Sequence, residues 1–480
     1  MNAHSAPRDV FDAGDARRDR SSFDIARELS RRGFLARAAT GAAVAGIGAM
    51  SVACSPFGNS VDGDSPSSTN LRFITPADLG LERTLYKGYL QDFEKANAGS
   101  TVGVTFEAWD DYMAKLPTLL AGGAVPDLIH QHMSIVQDYG HRGALLDLAP
   151  LMERDGIGRE TFVPELIDAF SDGDKIYGIP KDSAAWGVYY NKDKFDEAGL
   201  DYPSDDWTME DLRATARALT RDDRGRNPDQ AGFDPKGIKQ WGLNWVAPTP
   251  TDSENSRAFV RAFGGDWYDE DYQQTLIDQP PARADFELFR AMRCADLSTP
   301  SPAQELGQGD PFRSGLTAMS VNHHSQDFFL REEKTKFAWG ITFLPKGPGG
   351  QFVPVGCSGW AIPKGAKDQT GAWKLLKHLT SPQVQRGFAE QRRWAPSVRA
   401  ALPALVRENP TDGFVKVHVD PLRERSDRTV ISFRFPANQS RIKEVYATHF
   451  DPLWTTCATD DVAGAARKAK EQIDAILAQG

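Results

Sequence analysis

Eleven tryptophans, a scatter of carboxylates and two close pairs of histidines are the residues of this chain with chemistry to offer. Trp186 precedes the apolar run Gly187–Asn191, and Trp245 leads into a proline-rich stretch. Trp360 follows a small-residue turn, and Trp394 follows Arg393 just before Ala395-Pro396. Indole rings outside amphipathic patterns suit a ligand with flat C–H faces, and polar groups around them suit its hydroxyl-bearing edges. Asp78, Trp109-Asp110 and Gln131-His132 supply such groups at expected strand ends, Lys181-Asp182 and Asn322-His323 elsewhere. Each has a plainer competing role. Tryptophan is largely buried on average, so Trp186, Trp245, Trp360 and Trp394 are equally suited to packing. Asp78 would cap the helix that follows it. Arg393 would hold an acidic ligand in a bidentate bond, or else a surface carboxylate.

Other chemistries have weaker support. His130 and His132 share one face of an expected strand, and His323-His324 would approach them to bind a metal. No His-rich acidic loop accompanies them, and neither a metal nor a cofactor is expected. The phosphate loop G-x-x-x-x-G-K-S/T, the zinc motif H-E-x-x-H and the nucleophile turn G-x-S-x-G are absent. Gly356-Cys357-Ser358-Gly359 resembles such a turn but has no identifiable base. Asp110-Asp111 and Asp205-Asp206 read as a helix start and a solvated loop. No catalytic constellation is legible, and an enzyme is not expected.

Strands and helices alternate around these residues. Leu71–Thr75 reads as a strand, and Leu85, Tyr89 and Phe93 mark the apolar face of a helix over Glu82–Asn97. Val102–Phe106, a helix over Asp110–Leu120 and a strand from Pro126 follow. This β-α-β-α-β order argues for an α/β fold with a parallel sheet, which binds ligands at the carboxyl ends of its strands.

The amino-terminal segment is an address. Ser30-Arg31-Arg32-Gly33-Phe34-Leu35 precedes an uncharged run from Ala38 to Val52 and Cys54, the pattern of a twin-arginine export signal over residues 1–53. The run is shorter and richer in Gly and Ala than a membrane span of about 20 residues. Cys54 resembles the lipidated cysteine of bacterial lipoproteins, although Ser51 stands where Leu is usual. Residues 54–70 read as a flexible tether, which makes most sense with its end fixed to a membrane by a lipid. Release by an ordinary signal peptidase is the alternative.

The formal charge of −10 becomes −12 without residues 1–53, which carry eight Arg and six acids. No basic stripe remains, so nucleic acid is not an expected partner. Cys294, Cys357 and Cys457 allow one bridge, which spacing does not assign.

Several elements then resemble one family in order. Leu119–Asp127 (LLAGGAVPD), Gly143–Leu148 (GALLDL) and Tyr177–Pro180 with Tyr189–Leu200 come first. Trp207–Leu219, Phe312–Met319, Gly359–Lys364 and Ala372–Ser381 follow. Together they resemble the family 1 extracellular solute-binding proteins, of the maltose-binding-protein type. The resemblance implies a two-lobed Venus-flytrap fold with three hinge crossings, near Asp182–Trp186, near Gly356–Ser358 and around 405–420. Lobe 1 would be 71–182 plus 357–410, and lobe 2 would be 186–355 plus 411–480. It further implies a monomer that delivers a mono- or oligosaccharide to the permease of an ABC importer; polyols, glycerophosphodiesters and metals are the other solutes considered. Relatives carry a stacking aromatic where this chain has Asn322-His323-His324-Ser325-Gln326, which implies a polar contact there.

Overall fold

The computed structural model describes residues 70–77, 80–122, 125–245, 255–305, 309–391, 394–408, 413–423, 429–433, 435–436 and 438–479. All belong to one compact unit, Ser65–Gly480. The export signal, Cys54, the tether up to residue 69, Asp78 and Arg393 lie outside the described residues.

The first sheet grows from strand Asn70–Pro76, which pairs in parallel with Thr101–Glu107 on one side and Leu128–His132 on the other. Ser358–Ala361 adds antiparallel to Leu128–His132, and Ile179–Pro180 completes the edge. Helices Gly80–Ala96 and Trp109–Ala121 make the parallel crossovers. Of the expected apolar face of the first helix, Phe93 is buried, but the two turns before it are rotated by one residue. Glu82, Tyr86, Leu90 and Phe93 are buried, while Leu85 and Tyr89 are only half-buried. Two adjacent ridges both have helical spacing, and the aromatic layer beneath selects one: Tyr86 packs 5.4 Å from Phe388 and 6.4 Å from Trp360. That rotation carries the carboxylate of Glu82 inward.

The second sheet is organised by the ten-residue strand Asp182–Asn191. Thr317–His323, Trp339–Thr342 and Phe352–Gly356 pair antiparallel to it, and Ile238–Asn244 adds in parallel to Thr317–His323. Nine of its ten residues are buried, which matches its composition of Ala, Trp, Val and Tyr. Tyr189 and Tyr190 are buried there, as are Trp207 and Trp373 within their own elements.

Backbone passes between the sheets at two adjacent places. Pro180 ends a strand of the first sheet and Asp182 begins the second; Gly356 ends a strand of the second and Ser358 begins one in the first. The passages are tied together: Lys181 N–H donates to the Ser358 carbonyl at 2.8 Å, and Ser358 N–H donates to Asp182 Oδ1 at 2.7 Å. Gly359 allows this closeness, since a Cβ there would collide with the Ile179 carbonyl. Ala395-Pro396 bridges to Ser183 and Asp182 beside them. Helix Leu402–Glu408 follows, and Gly413–His418 then packs on Asp182–Asn191.

The bridge that spacing left unassigned joins Cys294 to Cys457, with Cα atoms 5.8 Å apart. Cys357 is buried and takes no part in the bridge.

One buried group sets a pH dependence for this lobe. Asp285, on helix Pro280–Arg290, is 0% exposed, and neither carboxyl oxygen has a hydrogen-bond partner among the described residues. Burial raises its pKa well above the ordinary carboxylate value. The folded protein then holds a proton that the unfolded chain has released, so stability falls as pH rises past about 4 towards the folded pKa. Asp285→Asn is expected to raise the melting temperature at pH 7.5, by the equivalent of about 1–3 kcal/mol. The gain should shrink as pH falls to 4.5. An equal or lower melting temperature at pH 7.5 contradicts this account.

Candidate functional site

The carboxyl ends of three strands open onto one cavity of about 650 Å³, whose wall includes Pro76, His132 and His323. Trp109 and Asp110 enter it from the first turn of helix Trp109–Ala121, directly after strand Thr101–Glu107. This is the position that strand order alone assigns to a ligand site in such sheets. Exposure grades across it: Glu82, His130, Lys181 and Trp394 are buried, Trp109 is half-buried, and Asp110 and Lys443 are exposed. The cavity therefore has a deep end at the crossings and a mouth at Asp110 and Lys443.

The deep end is charged. Lys181 Nζ lies 3.4 Å from Asp182 Oδ2 and 3.9 Å from Glu82 Oε1. It also sits 4.1 Å from the ring centroid of Trp394, whose ring stacks on Phe388 at 3.9 Å and 23°. Two groups that close to one centroid occupy opposite faces, so Trp394 is sandwiched between Phe388 and Lys181.

Imidazoles form the middle. His132 ends its strand and caps the next helix, with Nδ1 2.8 Å from Ser134 Oγ and accepting the Ser134 N–H at 3.3 Å. The second lobe repeats this arrangement. His323 Nδ1 lies 2.9 Å from Ser325 Oγ and accepts the Ser325 N–H at 3.4 Å. In both rings an accepting Nδ1 places the proton on Nε2. Burial, then His323, lowers the pKa of His132 to about 4. Burial, Lys181 and His132 hold that of His130 well below the ordinary histidine value. Neither ring nitrogen of His130 has a hydrogen-bond partner among the described residues.

Two indoles complete the wall. Trp109 meets His130 and His132 edge-to-face, each at 5.5 Å. Trp186 faces His323 at 5.1 Å because the antiparallel register sets the two residues side by side.

Of the residues singled out in the sequence, Trp109, Asp110, His130, His132, Lys181, Asp182, Trp186, His323, His324 and Trp394 line this cavity. Four others do not. Gln131 projects from the opposite face of its strand, as the two-residue period dictates, and is 0% exposed. Trp245 is buried against Phe259 and Phe289, at 4.3 and 5.1 Å. Trp360 is 0% exposed and packs on Tyr86. Asn322 turns back on its own backbone, accepting the His323 N–H at 2.9 Å and donating to Gln326 at 3.4 Å. The aromatic surface missing at 322–326 comes from Phe329, one helical turn further on.

Sequence reasoning missed Glu82, Met113, Phe329 and Lys443 in the wall. The repeated His-x-Ser at two strand ends was a visible signal for the imidazoles; nothing in the sequence pointed to Lys443. Among the described residues, no group of three or more His, Cys, Asp and Glu side chains is placed to hold a metal ion. Cys357 Sγ lies 3.8 Å from the Leu166 carbonyl, within the hinge packing. No helix of the described residues is long and apolar enough to cross a membrane.

Comparison with known proteins gives this geometry a context. A Brucella abortus protein named only as a binding protein is 26% identical over 311 residues, 63% of this chain and 70% of that one. The mannitol-binding protein of Pseudomonas aeruginosa is 31% identical over 258 residues, 50% of this chain and 54% of that one. Among solved structures, an ABC substrate-binding protein of Listeria monocytogenes in complex with cycloalternan superposes with a TM-score of 0.73. It is 22% identical and covers 86% of this chain and 100% of its own. The fold is thus the two-lobed one of these binding proteins. Residues 80–386 match the model of the bacterial extracellular solute-binding proteins, and they contain most of the cavity wall, so the chain belongs to that family.

Proposed function

We propose that this chain captures a neutral carbohydrate between its lobes outside the cytoplasm and delivers it to the permease of an ABC importer. The observation that carries the reading is the cavity wall itself. Trp109 from one lobe and Trp186 from the other flank buried polar groups that converge on a 650 Å³ space. A pyranose needs that combination of apolar platform and hydrogen-bonding edge. Residues 1–53 serve as the export signal, Cys54 receives the lipid, and residues 54–70 tether the protein to the membrane. Lobe 1 takes in 71–182 plus 357–410, lobe 2 takes in 186–355 plus 411–480, and the protein works as a monomer without catalysis. Ligand bonded by both lobes favours the closed form, which docks on the permease.

The mannitol-binding relative supports a linear polyol as the second reading. A thermal-shift screen of the protein from Ser55 onward separates the two, using mono- to tetrasaccharides, hexitols, glycerophosphodiesters and divalent metals. At one hundred times the dissociation constant a true ligand stabilises the fold by about 2.7 kcal/mol, a clear rise in melting temperature. A shift with sugars supports the reading, a shift with hexitols alone replaces it with the second, and a shift with metals alone overturns both.

A further inference from the structure

The deep end of the cavity holds an aromatic ring with no face to offer. Phe388 stacks on one side of Trp394 at 3.9 Å, and the ammonium of Lys181 covers the other at 4.1 Å. Lys181 is placed for this by the fold. Its N–H is tied to Ser358 at the second crossing, and its side chain is only 6% exposed. Its ammonium also lies 3.4 Å from Asp182 Oδ2 and 3.9 Å from Glu82 Oε1. A sugar ring needs a bare aromatic face. Beyond Lys181 there is one more such face, and the lysine occupies it.

From this we infer that Lys181 sets the length of the carbohydrate: it stops the bound chain one ring short by covering the stacking face of Trp394. The inference rests on the carbohydrate reading above and adds the residue that decides which oligomer fits. Two consequences follow from the geometry. The terminal ring of the ligand meets an ammonium instead of an indole. Removing the lysine side chain creates a new stacking subsite at the deep end.

Lys181 lies between two carboxylates, Asp182 at 3.4 Å and Glu82 at 3.9 Å, so removing it alone would shift the charge balance of the deep end. The informative variant is therefore Glu82→Gln/Lys181→Ala, which removes both charges and uncovers the ring. Glu82→Gln/Lys181→Met removes both charges and keeps a long side chain over the ring. Each is titrated calorimetrically with gluco- and manno-oligosaccharides of one to four rings, alongside wild type.

In the alanine variant the preferred oligomer should lengthen by one ring. Affinity for that longer oligomer should rise about fivefold to tenfold over wild type, the worth of one aromatic stacking contact. The methionine variant should keep the wild-type length preference. Unchanged preference in a folded alanine variant overturns the inference, and so does the same gain in the methionine variant. Wild type that binds no sugar of either series, nor any sugar of the thermal-shift screen, defeats the carbohydrate reading and the length rule with it. Wild type that binds sugars without the variant difference defeats only the length rule.

Discussion

Trp360→Ala and Trp245→Ala are expected to destabilise the protein by about 3–5 kcal/mol each, whereas Trp109→Ala should weaken binding of the solute roughly tenfold to hundredfold in a folded protein. The first two rings are fully enclosed. Trp360 belongs to an aromatic layer with Tyr86, Phe388 and Trp394, and Trp245 is held between Phe259 and Phe289. Truncating either leaves a void that its neighbours cannot fill, and neither touches the cavity. Their folded fraction should bind with near wild-type affinity. Trp109 is the reverse case. It is half-buried on the first turn of its helix, so its loss opens no interior void. Trp186 stands between them: it is 8% exposed, joined to the core on one side and to the cavity on the other, and Trp186→Ala should lower both quantities. Paired denaturation and calorimetric titrations check the set. Near-normal stability of Trp360→Ala, or wild-type affinity of Trp109→Ala, contradicts the assignment.

That contrast shows what the sequence could and could not convey. Alternating periodicity and strand order were enough to place Trp109, Asp110 and His132 at strand ends, because those positions follow from local pattern. The tryptophans beyond that first unit were harder. Trp245 and Trp360 follow turns in sequence, yet each is covered by elements distant in the chain, Phe289 for one and Tyr86 for the other. Exposure of a residue at a strand end is decided by those distant partners. Glu82 was hidden for a related reason. Its helix has two ridges of equal spacing, and the choice between them belongs to the aromatic layer beneath. Lys443 comes from helix Gln439–Trp454, more than 300 residues from Trp109, and no local pattern links the two.

Acidification from pH 7.5 to 5.0 should cost the fold about 2 kcal/mol through His132, with His130 adding to the loss, and replacing both with Gln should remove it. His130 is buried and His132 half-buried; burial, then Lys181 and His132 for the first and His323 for the second, hold their folded pKa values below the ordinary 6.5. Above that value both states of the protein carry neutral rings, and nothing is lost. Below it the unfolded chain takes up protons that the folded protein refuses, so stability falls by about 1.4 kcal/mol per pH unit for each ring. For His132 the fall continues until its folded pKa of about 4. Asp285 contributes with the opposite sign in the same window, and since it is present in both proteins, the difference between wild type and the double variant isolates the imidazoles. Melting temperatures of wild type and His130→Gln/His132→Gln across that window test the account; parallel slopes would refute it. The same physics bears on the ligand. Rings held neutral in the centre of the cavity offer directional hydrogen bonds without net charge, which suits a polyhydroxylated ligand better than an anion, and leaves fixed charge to the deep end at Lys181 and to the mouth at Asp110 and Lys443.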